Sequence, residues 1–320
     1  MDLSIVVPLL NEQDSLEELF TRIKTVCTEN GYSFEVLFVD DGSTDDSWQI
    51  IEYLANFNQE VKGIRFRKNF GKSPALSAAF KKVKGNVVIT MDADLQDFPE
   101  EIPALYNMLV NKKADIVSGW KQNRQDNKLT KNLPSKLFNA VARKTSGVQL
   151  HDFNCGLKAY RWEVTQNIEL YGDMHRYIPV LAKNAGYHRI LEKQVRHQAR
   201  KYGVSKFGPS RFVNGFLDLI TLYFQAKFGT RPMHIFGLIG TLMFILGFFA
   251  TAYLGLDKLF RLFILEKPTR LITDSPYFYI SLTAMILGTQ LFLAGFLGEL
   301  IVRSNRDRKI YSVQKELNLN

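Results

Sequence analysis

At 320 residues the chain has room for about two domains, and its 46% hydrophobic and 23% charged residues are ordinary for globular protein. A net charge of +9 admits nucleic acid, an anionic membrane surface or a phosphorylated substrate as partner. No zinc-ligand spacing or RNA-binding signature accompanies that charge, which argues against nucleic acid, and two cysteines, Cys27 and Cys155, exclude a disulfide framework or a cysteine-rich metal site.

From residue 1 to about 120 short β-rich runs alternate with helical spacing. The runs are Leu3 to Val7, Phe34 to Val39, Val61 to Phe66, Val87 to Met91 and Ala114 to Gly119. The opening MDLSIVVPLLNE lacks the basic region and cleavage site of a signal peptide, so it reads as a first strand that stays in the cytosol. The first helix is predicted to begin near Asp14, whose spacing to Glu17 suits a capping box, with Leu16, Leu19, Phe20 and Ile23 on its inner face. Strands and helices in this alternation predict an α/β fold with a mainly parallel sheet. Such sheets bind ligands outside the carboxyl ends of their strands, where loops and helix N-termini present free N–H groups.

Polar sequence does follow each strand. Pro8-Leu9-Leu10-Asn11-Glu12 closes the first, VDDGSTDDS (39 to 47) the second and MDADLQD (91 to 97) the fourth. In extended geometry, residues two apart share a face, so Asp92 and Asp94 would aim into one opening. Hard carboxylate oxygens favour Mg²⁺ or Mn²⁺, and Mg²⁺ is often held by one or two carboxylates completed by substrate phosphates. Asp41 could accept N–H bonds from a nucleobase, while Asp97 and Glu100 suit the start of the next helix, where negative charge meets the helix dipole.

Residues 121 to 210 are less regular, with basic stretches at 121 to 136 and 196 to 211. Residues 211 to 233 have near-helical apolar spacing, which suits an amphipathic helix in the membrane interface. Two uncharged runs follow, from about 235 to 256 and 275 to 298, each long enough to cross a hydrocarbon layer of ~30 Å. The domains predicted are therefore a cytosolic α/β domain (1–210), a juxtamembrane helix (211–233), a two-span membrane region (234–302) and a cytosolic basic tail (303–320). Arg303, Arg306, Arg308 and Lys309 after the second span, with Lys227 and Arg231 before the first, place both ends in the cytosol. The amphipathic segment and the spans are also surfaces through which copies of the chain could form a homo-oligomer.

Taken together, SIVVPLLNEQDSL, VDDGSTDDS, RKNFGKSPAL, MDADLQDFPEEIP, CGLKAYR and GVSKF, followed by two C-terminal spans, resemble the family 2, GT-A (Rossmann-like) polyprenyl-phosphate glycosyltransferases. That family includes dolichol-phosphate mannose synthase, bactoprenol glucosyltransferases and the undecaprenyl-phosphate aminoarabinose (formamido) transferase. The resemblance implies inverting, Mg²⁺- or Mn²⁺-dependent transfer of a sugar from a UDP- or GDP-linked donor to a polyprenyl phosphate at the cytosolic face of a membrane, in bacteria the inner membrane. It implies that Pro8, Asn11, Glu12 and Asp41 hold the nucleoside, that Lys72, Arg200 and Lys206 lie on the donor side, and that Asp92, Asp94 and Gln96 meet the diphosphate and metal. Arg124, Lys131, Ser135, His197 and Ser205 would surround the acceptor phosphate, and Asp94, Asp152 and Arg124 would be catalytic, Asp152 as a base or as an orienting group. Lys131 stands where arginine is frequent and lacks its bidentate fork, and Val204 and Phe207 depart from the commoner Glu and Tyr. Two other readings are a membrane polysaccharide synthase that extends a glycan, disfavoured by the lack of a Q-x-x-R-W motif and of further spans, and a non-catalytic nucleotide-sugar-binding scaffold, disfavoured by the intact aspartates.

Overall fold

The computed structural model describes residues 1–121, 143, 146–170, 172, 174–198, 201–202, 232–265, 271–304 and 313–318. The chain divides into two compact units, residues 1–220 with 309–320, and residues 221–308.

The first unit is built on one eight-stranded sheet: β1 (Leu3–Leu9), β2 (Phe34–Asp40), β3 (Val61–Phe66), β4 (Val87–Thr90), β5 (Ile116–Trp120), β6 (Lys158–Arg161), β7 (Ile190–Gln194) and β8 (Val313–Leu317). Their spatial order is β7-β5-β6-β4-β1-β2-β3-β8. The five strands expected from sequence all form, each within two residues of its expected ends. β1 pairs in parallel with β2 and β4, β2 with β3, and β5 with β7, whereas β6 runs antiparallel to β4 and β5, and β8 antiparallel to β3.

Period-two alternation sends the apolar residues of the central strands to two faces. Leu3, Ile5, Val7 and Leu9 of β1 pack with Val36 and Phe38 of β2 in one core, completed by α1 (Leu16–Glu29), α2 (Ser47–Phe57) and α4 (Ile102–Asn111). Val6, Leu37, Val39 and Ile64 turn to the other, covered by α3 (Lys72–Phe80), α5 (Trp162–Asn167) and α6 (Ile178–Asn184). The crossover helices therefore change faces between β3 and β4, and strand order reverses between β1 and β4. That reversal opens a crevice at the carboxyl ends of these two strands. Because β6 is antiparallel to both neighbours, the carboxyl ends of β1, β2, β4, β5 and β7 and the amino end of β6 share one edge of the sheet.

Two local expectations are corrected. The first helix starts at Leu16 without a capping box: Ser15 makes no side-chain cap and instead donates its hydroxyl to the Glu12 carbonyl at 2.9 Å. Its inner face is as expected, with Leu16, Leu19, Phe20 and Ile23 all buried. The C-terminal tail, read only as basic sequence, supplies β8 on the outer edge of β3, where an unpaired strand would otherwise expose its N–H and C=O groups.

The second unit contains α7 (Met233–Phe263) and α8 (Pro276–Ser304), and both helices are long and apolar enough to cross a membrane. They pack antiparallel along small residues spaced by sevens. A Cβ added to Gly240 would lie 2.5 Å from the Gly288 carbonyl oxygen, and one added to Gly247 2.6 Å from that of Ser281. Such close backbone approach drives helix association where lipid is as apolar as the side chains, and Leu246, Phe249, Tyr253, Leu293 and Leu297 are left on the outer surface. The predicted juxtamembrane helix lies outside the described residues.

Candidate active site

Loops after β1 and β2 are stitched together by side chain to backbone hydrogen bonds. Asn11, in the left-handed region at φ 51, donates its N–H to Ser43 Oγ at 2.8 Å, and its side-chain oxygen accepts the Thr44 N–H at 2.8 Å. Glu12 donates its N–H to Ser47 Oγ at 2.9 Å, while Pro8 is buried within β1 opposite Val39. Gly42, at φ 77, passes so close to the next loop that a Cβ would lie 2.5 Å from the Lys68 carbonyl carbon. Asp41 accepts the N–H groups of Phe70 and Gly71 at 2.7 and 2.8 Å, one on each carboxylate oxygen. Its burial pushes the carboxyl above its ordinary pKa, against the opposing pull of those two N–H groups. Asp41 therefore shapes the loop leading into α3 as well as lining the β2 end.

That loop delivers Lys72, the first residue of α3, to Asp92, with which it forms an ion pair. Burial opposes ionisation of Asp92, but the ammonium groups of Lys72 and Lys121 overcome it and hold the carboxyl well below the usual carboxylate range. Gly156, just before β6, lies against the same carboxylate, and a Cβ there would sit 2.5 Å from Asp92 Oδ2. Gly156→Ala is therefore expected to displace Asp92 and cut turnover about tenfold or more with a smaller effect on the melting temperature. Equal activity per folded molecule would show that the placement of Asp92 does not matter.

Period-two geometry is not what places the D-x-D pair, because β4 ends at Thr90 and residues 93 and 94 form a turn. Asp94 is buried and accepts the Gln96 N–H at 3.2 Å. Leu95 between them has φ 58, a strained value for leucine, and is fully buried in the core beneath. Asp97 is not at a helix start. It is fully buried and ion-paired with Lys121 at 2.6 Å, because the end of β5 lies next to this turn. Glu100, in the short helix Pro99–Glu101 that precedes α4, forms a two-point ion pair with Arg22 of α1.

His197 lies beside the same turn. Its backbone bridges Asp97, and Gln198 donates its N–H and its amide to the carbonyls of Gln96 and Leu95 at 3.2 and 2.5 Å. Asp152, buried before β6, accepts the Asn154 N–H at 3.0 Å. Arg124, Lys131, Ser135, Arg200, Ser205 and Lys206 lie outside the described residues.

Several groups at this edge were not singled out from the sequence, although Lys121 opens the basic stretch and Lys158 lies within CGLKAYR. Lys121 stands at the end of β5, and Lys158 is buried on β6 with its ammonium donating to the Phe153 and Cys155 carbonyls. His175 donates its backbone N–H to Ser73 Oγ at 2.9 Å, and its Nδ1 lies 3.2 Å from the same hydroxyl. Burial, then the charges of Lys72 and Arg176, push the His175 imidazole well below its ordinary value, so it is neutral at pH 7. A lysine at a strand end or a histidine in a loop is recognisable only once the strands that carry their neighbours are placed.

No group of three or more histidine, cysteine or acidic side chains converges on a metal position among the described residues. Two carboxylates suffice for Mg²⁺ when phosphates and water complete its shell. Asp92 and Asp94, hard donors with one residue between them at the switch point, fit that requirement.

The sequence model described as glycosyl transferase family 2 matches residues 4–169. Over 306 residues the chain is 34% identical to dodecaprenyl-phosphate galacturonate synthase of Rhizobium johnstonii, covering 95% of this chain and 88% of that one. It is 38% identical over 245 residues to undecaprenyl-phosphate 4-deoxy-4-formamido-L-arabinose transferase of Pseudomonas fluorescens, covering 76% and 70%. Among solved structures, glucosyl-3-phosphoglycerate synthase from Mycobacterium tuberculosis, crystallised with Mn²⁺, UDP-glucose and phosphoglyceric acid, superposes with a TM-score of 0.55 at 19% identity, covering 70% of this chain and 79% of that one, a likeness of fold. With the family pattern running from β1 through α5 and similarity continuing over nearly the full length, the chain belongs to glycosyl transferase family 2.

Proposed function

We propose that this glycosyltransferase moves a sugar from a nucleoside-diphosphate donor to a polyprenyl phosphate at the cytosolic membrane surface, with inversion at the anomeric carbon. The observation that carries this reading is the set of Asp92, Asp94 and Lys72 at the β1/β4 switch point, in a chain that also has two membrane-length helices. The names of the two relatives, a synthase and a transferase of polyprenyl-phosphate sugars, support the acceptor class.

The domain limits proposed are those expected from sequence, with residues 313–317 returning to the catalytic sheet as β8. This return supports a two-span hairpin. Chain preceding the first apolar helix and chain following the second share one sheet, so the number of crossings between them must be even.

In the proposed reaction a lipid phosphate oxygen attacks the anomeric carbon while the bond to the donor diphosphate breaks, and the bonding pair leaves on the diphosphate oxygen. A phosphate monoester with second pKa near ~6 is largely a dianion at neutral pH, so no proton need be removed from the nucleophile. The protein's contribution is then positioning and stabilisation of charge. Pro8, Asn11, Glu12 and Asp41 would bind the nucleoside, Lys72, Arg200 and Lys206 the donor diphosphate, and Arg124, Lys131, Ser135, His197 and Ser205 the acceptor phosphate. A Mg²⁺ or Mn²⁺ ion held by Asp92 and Asp94, with Gln96 beside them, would neutralise the leaving diphosphate. Asp152 orients the basic groups around the attacking phosphate.

Incubating the purified chain with polyprenyl phosphate, a panel of UDP- and GDP-sugars and either metal is expected to give one lipid product whose mass has grown by one glycosyl unit. EDTA should abolish the product and excess metal should restore it. Extension of an added glycan with no lipid-phosphate product would instead identify a polysaccharide synthase.

A further inference from the structure

We infer that Glu192 of β7, with Lys158 of β6, is a positioning residue that holds Asp152 for transfer. The inference rests on the proposed reading of Asp152 as a group beside the reacting phosphate.

The segment from His151 to Cys155 is held through its backbone from two sides. Glu192 Oε1 accepts the N–H groups of His151 and Asp152 at 2.8 and 3.0 Å, and Oε2 lies 2.6 Å from His151 Nδ1. Lys158 donates from the opposite side to the carbonyls of Phe153 and Cys155. One partly buried anion thus takes the donors at the start of the segment, and one buried cation takes the acceptors at its end. The His151 ring is further fixed by stacking on Trp120, with centroids 4.3 Å apart and planes 17° from parallel. Asp152 closes the turn by accepting the Asn154 N–H.

A surface loop needs no such restraint, since water satisfies its backbone at little cost. Removing charged side chains from water, Lys158 wholly and Glu192 in part, is expensive unless each is well bonded, so their use on four of five neighbouring residues points to a segment whose position must be held closely. Reactive constellations need supporting residues of this kind, and their loss commonly costs 10–100-fold. Glu192 is also well placed for the task. It sits in the middle of β7, paired with Ser118 of β5, so a rigid strand sets the clamp.

The test uses the full chain in detergent with the donor that supports transfer. Glu192→Ala is expected to raise amide hydrogen exchange in the peptide spanning 150–156 about tenfold or more, and to lower kcat by roughly 10–100-fold. Glu192→Gln keeps an oxygen for both N–H groups and presents its amide to His151, so it should restore exchange protection and most of kcat. Asp152→Asn combined with Glu192→Ala should be no slower than Asp152→Asn alone, because the two changes disable one unit.

Unchanged exchange in Glu192→Ala, equal losses in the Ala and Gln variants, or multiplied losses in the double variant would each overturn the positioning role. If Asp152→Asn keeps full transfer, the reading of Asp152 fails and the inference falls with it. The exchange data would still report separately whether the clamp exists.

Discussion

Replacing Asp94 with asparagine is expected to lower kcat for glycosyl transfer on the order of 10²–10³-fold, the loss seen when one preorganised charge-stabilising group is removed from a reacting centre. Asparagine keeps the shape and can still accept the Gln96 N–H, so the turn should survive and the melting temperature should move little. What is lost is the negative charge that, in the proposed function, holds the metal against the donor diphosphate. In a steady-state assay at saturating Mn²⁺, the reduction should fall mainly on kcat, and Mn²⁺ binding followed by electron paramagnetic resonance should weaken in parallel. Full metal-dependent transfer by this variant would remove Asp94 from the site. Asp92 offers a less clean test, because its loss would also strand Lys72, its ion-pair partner, and open space against Gly156.

A second large effect is expected at the opposite end of the sheet, in stability. Glu35 of β2 is almost fully buried and is bonded by the Ser4 hydroxyl, the Lys62 ammonium and, at 2.7 Å, the Lys84 N–H. Ser4 in turn accepts the Gly85 N–H at 2.8 Å, so the network joins β1, β2 and β3 to the segment entering β4. Glu35→Ala leaves a buried lysine without its counter-charge and a backbone N–H without its acceptor. Breaking a buried pair from one side typically costs roughly 3–5 kcal/mol, against roughly 1 kcal/mol for an average hydrogen bond, so the stranded charge dominates. Denaturant unfolding should show this loss, and adding Lys62→Met should recover much of it by removing the unpaired charge. An unfolding free energy within ~1 kcal/mol of wild type would mean that water reaches Lys62 and solvates it. The network is remote from the carboxyl ends of the strands, so the folded fraction of Glu35→Ala should transfer sugar at the normal rate.

Much of the frame was readable along the chain because its signals are local. A strand such as Val36 to Val39 announces itself by composition, α1 by the spacing of Leu16, Leu19, Phe20 and Ile23, and the membrane-length helices by sheer absence of charge. The position of binding sequence just after β1, β2 and β4 followed from one rule of parallel sheets, and the ordered motifs identified the family. The errors were equally local in origin. A capping box at Asp14 was inferred from spacing and a helix start at Asp97 from the helix dipole; Ser15 instead donates to the nearby Glu12 carbonyl, and Asp97 is held by Lys121 at the end of β5. The two-apart argument for Asp92 and Asp94 failed because the strand stopped at Thr90.

The sequence by itself determined the five strands from β1 to β5, the first helix, where the acidic turns fall and that two helices suit a membrane. Periodicity and composition act over a few residues and need no knowledge of the rest of the chain. Only the tertiary structure decided the partners: Lys72 and Gly156 for Asp92, Lys121 for Asp97, Glu192 and Lys158 for the segment holding Asp152, and β8 for the open edge of β3. Apart from Lys158, three to five positions from its partners, these contacts join residues from about 20 to some 250 positions apart. Strand order and direction bring them together, and the antiparallel insertion of β6 between β4 and β5 has no signature in any single stretch of sequence.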